Sequence, residues 1–197
     1  MANPVASYMI VFAALIGITQ AHAQHSSALV DALQKGGMVI VMRHAQSPNG
    51  LPEPDQRRTD NSAGERQLDA RGRETASAMG EALRRLEIPI TEIISSPTYR
   101  AIETARALGF ATPQTADELS SEGMAAATQE RAAWLRAQTL REVEGGNRVL
   151  ITHQPNIRAA FPEVDGLDDG EALIFAPNSG DTGTPVGRVK IEEWQAF

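Results

Sequence analysis

Three short, almost unbroken apolar runs constrain this chain more than any other feature: VIVM (39–42), EIIS (92–95) and VLIT (149–152). A strand that is apolar on both sides must be covered on both faces, as in sheets whose parallel strands are connected by helices. Helical patterns lie between the runs. Leu68, Gly72, Thr75/Ala76, Met79, Leu83 and Leu86 recur every three to four positions with Arg and Glu between them, which predicts a helix over 68–87. The alternation predicts an α/β fold: a three-layer sandwich with a mostly parallel central sheet flanked by helices.

The remaining elements fit that frame. Ser26 to Lys35 reads as a short amphipathic helix with serine caps, stopped by Gly36-Gly37. Met38 to Met42 is the first strand, Glu92 to Ser95 the second, and Pro97 to Leu108 a helix. A further helix is expected over 123–143, then the strand Arg148 to Thr152 and a short turn or helix after Pro155. Glu171 to Ala176 and Val186 to Trp194 are expected to form a hairpin through the turn PNSGDTGTP. The segment from Ala45 to Gln67 is long for a structureless connection, as loops that cover active sites often are.

Composition narrows the function classes. Residues 1–23 contain no Lys, Arg, Asp or Glu, and their apolar block from Met9 to Thr19 is too short to cross a bilayer as a stable helix. Ala21-His22-Ala23 supplies a small-x-small cleavage pattern, so 1–23 is expected to be a signal peptide and 24–197 the exported catalytic domain, periplasmic or secreted, without a transmembrane anchor after cleavage. A net charge of -7 opposes binding to nucleic acid or an anionic membrane surface. Without cysteine there are no disulfides, thiolate metal sites or cysteine nucleophiles. Of the four histidines, His22 falls in the signal and His25 beside it, which leaves His44 and His153 for the folded body.

In open α/β sheets ligands bind where strands end and helices begin. VIVM ends in Arg43-His44, EIIS is followed within a turn by Arg100, and VLIT ends in His153, so three strands deliver cationic groups to one edge. Ser96 is the expected N-cap of the following helix and Pro97 its first residue, a helix start that favours an anion. Arg100, one turn in, has the planar fork that suits phosphate oxygens. Two imidazoles beside two guanidiniums suit phosphoryl transfer. One ring attacks phosphorus while the other, with the arginines, holds charge on the equatorial oxygens. Phosphate monoesters need accelerations up to ~10²¹-fold, and a covalent intermediate divides that barrier. No metal or cofactor is expected.

These motifs resemble the histidine phosphatase superfamily, which includes the cofactor-dependent phosphoglycerate mutases. Its Arg-His-Gly signature is similar to Arg43-His44-Ala45, its Ser-x-x-x-x-Arg-Ala-x-x-Thr-Ala segment to Ser95 through Ala105, and its late histidine to His153 in VLITHQPNI. The resemblance implies a phosphoglycerate mutase-like fold, His44 as the phosphorylated nucleophile, and Arg43, Arg100 and His153 around the phosphate. Ser47, just behind the signature, is counted among the substrate-binding residues.

The chain departs from the pattern at three points. Ala45 replaces the signature glycine, Asn49 stands one position early relative to the mutases, and DELSSEG replaces the Leu-x-Glu context of the family's general acid. Glu118 is the preferred acid, with Glu122, Asp55 and Asp60 as alternatives. The expected activity is that of an exported, metal-free, histidine acid-type phosphatase acting on a small phosphorylated substrate, such as a sugar phosphate or a cell-envelope glycolipid phosphate. The alternatives are a phosphate or phosphosugar binder that does not turn over and, less favoured, a carboxylate-based metallohydrolase.

Overall fold

The computed structural model describes residues 27–110, 112–121, 128–177 and 183–197. The expected signal 1–23, His25 and Glu122 lie outside the described residues, as do Ser26 and parts of the 123–143 helix and of the PNSGDTGTP turn. Among the described residues the elements are, in order, α1 (27–35), β1 (Val39–Arg43), α2 (Ala70–Arg85), β2 (Ile90–Ser95), α3 (Tyr99–Ala107), β3 (Gln114–Thr115), α4 (Gln129–Leu140), β4 (Asn147–Thr152), α5 (Gln154–Ala160), β5 (Ala172–Phe175) and β6 (Gly187–Val189). Short 3-10 turns follow β3 and close the chain at Asp117–Leu119 and Glu193–Ala196.

The six strands are ordered β3-β2-β4-β1-β5-β6. β3, β2, β4 and β1 run parallel, and β5 and β6 form the antiparallel margin. Alternation along each strand splits the core in two. Ile40, Met42, Val149, Ile151 and Ile174 face one side with Leu33, Met79, Leu83, Ala101, Ala105 and Trp194. Val39, Val41, Leu150, Leu173 and Phe175 face the other with Leu135, Ile157 and Phe161. This is the expected α/β three-layer sandwich. No helix among the described residues is long and apolar enough to cross a membrane.

Several element boundaries depart from the sequence expectation, each for a local reason. α2 starts at Ala70 because Asp69 caps it, its carboxylate accepting from the Gly72 amide at 2.7 Å. β2 extends back to Ile90, and α4 ends at Leu140 rather than 143. The last strand stops at Val189, well short of Trp194. There Glu193 accepts from the Lys190 amide at 2.8 Å and turns the chain, so Trp194 drops fully buried into the core instead of joining a strand.

The helix expected from Pro97 with Ser96 as its cap begins at Tyr99 with Thr98 at the cap position. Ser96 is engaged elsewhere, as described below, and Glu65 from the long loop accepts from the Tyr99 amide at 2.9 Å. That loop is folded onto α3: the Tyr99 hydroxyl donates to Asp60 at 2.6 Å, and Arg106 donates to the same carboxylate at 3.0 Å.

α2 and α3 approach closely at Gly80, where a Cβ would run into the backbone carbonyl of Leu108. Backbone on both sides leaves no flexible side chain to move aside. Gly80→Ala is therefore expected to cost about 1–3 kcal/mol despite alanine's better helix propensity. Denaturant midpoints measure this, and a variant as stable as the parent would contradict the packing.

Candidate active site

Register brings the two histidines together. In the β1–β4 ladder Arg43 stands opposite Thr152, so His44 and His153 are the next residues on adjacent parallel strands. The His44 amide donates to the Thr152 carbonyl at 3.0 Å, extending the ladder by one bond. With side chains alternating every two residues, His44 continues the face of Met42, and His153 that of Ile151. That face is covered by α2 and α3, and Arg100 reaches in from the first turn of α3. The two rings lie 5.2 Å apart, edge to face, and both are buried.

Arg100 bridges them. Its Nε donates to His44 Nε2 at 3.2 Å, and its Nη2 lies 3.2 Å from His153 Nδ1. A guanidinium has only donors, so both ring atoms present lone pairs. The remaining nitrogens carry the protons. His44 Nδ1 donates to the Ala45 carbonyl at 2.8 Å, and His153 Nε2 donates to Ser96 Oγ at 2.9 Å, with Thr98 Oγ1 at 3.3 Å.

Both imidazoles are therefore neutral. Burial, and then the arginines, hold His44 down from its ordinary 6.5 to about 3, against the opposing pull of the Ala45 carbonyl. Burial and then Arg100 bring His153 to about 2. The unfolded chain binds protons at these positions from about pH 6.5 downward, while the folded chain resists until near pH 3. Folding stability is thus intact above pH 6.5 and is lost progressively as the pH falls from there toward 3. Denaturation midpoints at pH 7 and 4.5 are expected to show this, with a shallower slope in a His44→Ala variant. Equal slopes would count against a buried neutral His44.

Arg43 is held from the other side. Its Nη1 donates to the Leu167 carbonyl at 2.9 Å and its Nη2 meets Asp169 Oδ1 at 2.7 Å, while its buried Nε has no hydrogen-bond partner among the described residues. An orphaned buried donor is costly, and an anion oxygen relieves it. Ala45 does not have a positive φ, its methyl is fully buried in the core, and its amide donates to Thr104 at 3.1 Å, so the missing signature glycine costs the turn nothing.

Four of the expected site residues, Arg43, His44, Arg100 and His153, meet at one edge. Among the described residues, Ser47 and Glu118 make no hydrogen bond to these four. Ser47 is buried, but its hydroxyl donates to the Gln67 carbonyl at 2.9 Å, bracing the loop. Glu118 sits half-buried in the 3-10 turn after β3. Asp55 is exposed, and Asp60 is committed to Tyr99 and Arg106.

Residues outside the sequence expectation take up positions at the site. Ser96 fixes the tautomer of His153, Asp169 pairs with Arg43, and Arg66, tied to the Pro48 and Ser47 carbonyls, adds positive charge felt by both histidines. Ser96 was legible as a polar residue next to the motif; Arg66 and Asp169 lie in loops with no local signature. Among the described residues no cluster of three or more His, Asp or Glu side chains could hold a metal ion.

Residues 39–121 match the family model of the histidine phosphatase superfamily, branch 1. A comparison with curated proteins found no match. Among solved structures the chain is similar to the protein histidine phosphatase SixA complexed with tungstate, at a TM-score of 0.59 and 18% identity, over 79% of this chain and 98% of that one. It is also similar to a phosphoserine phosphatase mutant from Entamoeba histolytica in complex with phosphoserine, at 0.54 and 14%, over 79% and 98%. At such identities the likeness is one of fold. The family model covers the segment that carries the signature, and the chain shares its fold with these phosphatases.

Proposed function

We propose that the chain is an exported phosphomonoesterase that hydrolyses a small phosphate ester through a phosphohistidine on His44, without a metal. The observation that carries this reading is the pair of neutral imidazoles whose lone pairs converge on one guanidinium. An entering phosphoryl group takes Arg100 as its ligand and uncovers the lone pair of His44 Nε2. His44 is the better nucleophile of the two because its N–H is held by a backbone carbonyl, a stronger acceptor than the hydroxyls that hold His153. His153, Arg100 and the unpaired Nε of Arg43 then surround the charge that develops on the equatorial oxygens.

The fold leaves the leaving group open, since one neighbour is a protein histidine phosphatase and another a phosphoserine phosphatase. A sugar phosphate or a cell-envelope glycolipid phosphate fits the proposed export. Protein recovered from the periplasm with Gln24 as its first residue supports cleavage of 1–23; retention of Met1 there counts against it. One observation favours the alternative of a binder without turnover: of the acids named from the sequence, those among the described residues, Glu118, Asp55 and Asp60, make no hydrogen bond there to the histidines or to Arg43 and Arg100.

The assay that separates the readings incubates the protein with aryl and alkyl phosphates, with and without chelator, and traps the enzyme during turnover. Activity that persists in chelator with phosphate on His44 is expected. Phosphate binding without turnover supports the binder, and loss of activity in chelator supports a metallohydrolase.

A further inference from the structure

The strap between α5 and β5, Leu167 to Glu171, is fastened at almost every residue. The Leu167 amide donates to Gln154 at 2.9 Å and its carbonyl accepts from Arg43 at 2.9 Å. The Asp168 amide donates to Glu171 at 2.8 Å, the Gly170 amide donates to the carbonyl of His44 itself at 3.0 Å, and Glu171 pairs with Arg188 at 2.6 Å. The strap sets one carboxylate, that of Asp169, against Arg43. Asp169 Oδ1 lies 2.7 Å from Arg43 Nη2, and among the described residues this buried oxygen has no hydrogen-bond partner. About a third of this side chain stays open to solvent, room for a leaving group or a water.

We propose that Asp169 is the proton-transfer residue of this pocket. The inference rests on the phosphatase reading above and assigns the acid to a residue the sequence did not point to. In the first step His44 Nε2 forms a bond to phosphorus, the P–O bond to the alcohol breaks, and the departing oxygen takes the proton of the Asp169 carboxyl. In the second, water attacks phosphorus and gives a proton to the Asp169 carboxylate. The P–N bond breaks with its electrons returning to His44, and inorganic phosphate leaves.

Burial raises the proton affinity of this carboxyl above its ordinary value. Arg43 from β1 and Arg66 from the long loop oppose that rise, while Asp69 at the start of α2 and Asp168 in the strap reinforce it. A carboxyl that holds its proton more tightly than a surface aspartate is suited to protonating an alkoxide.

The experiment compares rapid-quench phosphorylation rates of the parent and Asp169→Asn on 4-nitrophenyl phosphate, whose leaving group needs no proton, and on glycerol phosphate, whose leaving group does. Inorganic phosphate affinity is measured on both proteins. The alkyl-to-aryl rate ratio is expected to fall by about 10²-fold or more in the variant, with phosphate affinity not weakened. Equal losses on both substrates together with weaker phosphate binding would show that Asp169 only positions Arg43, and the proposal would be overturned. An unchanged ratio overturns it as well. Should Asp169→Asn fail to fold, Asp169→Glu, which keeps the charge and moves the carboxyl, is read through its pH–rate profile: a displaced limb supports proton transfer and an unmoved one refutes it. A parent protein that releases no nitrophenolate defeats the phosphatase reading itself, a result distinct from all of these.

Discussion

His44→Ala is expected to lower kcat by on the order of 10⁴-fold or more, because it removes the atom that forms the covalent bond rather than one that assists it. The substitution is structurally mild. The imidazole is neutral in the folded state, so no charge is left unpaired, and the strand beneath it is held by the β1–β4 ladder. Arg43, Arg100 and His153 remain, so phosphate is expected to bind the variant while the trapped phosphoenzyme disappears. Retained turnover, or label on His153 in the parent, would reverse the roles assigned to the two rings. Steady-state rates on an aryl phosphate, with acid-quenched protein mapped for phosphate, decide the matter.

Arg100 carries the second large effect. It is buried and touches both lone pairs, so Arg100→Ala removes the group that orients both rings and the fork that receives the phosphoryl oxygens. Loss of one such donor costs about 10²–10³-fold in kcat, and with two ligating nitrogens gone the upper end is expected. The pH dependence changes as well. Arg100 is among the causes that hold both imidazoles below their ordinary range, so its removal raises both proton affinities and moves the acid limb of kcat/KM to higher pH. Arg100→Lys keeps the charge without the planar fork and is expected to fall between the two. A lysine variant equal to the parent would show that charge alone suffices. The pH profile of kcat/KM for all three proteins is the measurement.

The polypeptide by itself determined the sheet, the helices over it and the four residues at the centre of the site. Each follows from local pattern: VIVM, EIIS and VLIT could only be buried strands, and His44, Arg100 and His153 stand at or just past their ends. Once three strands run parallel, their ends share an edge, and the chemistry there follows. Tertiary structure decided the rest. The register of β1 on β4 set the two imidazoles side by side, Ser96 turned from capping a helix to holding His153, and Asp60, named from the sequence as a possible acid, went to Tyr99 and Arg106 rather than to the site. Asp169 and Arg66 reached it instead, from segments distant along the chain. Periodicity and end signals are written in neighbouring residues, whereas an ion pair closed across more than a hundred residues depends on loop paths that no local pattern encodes.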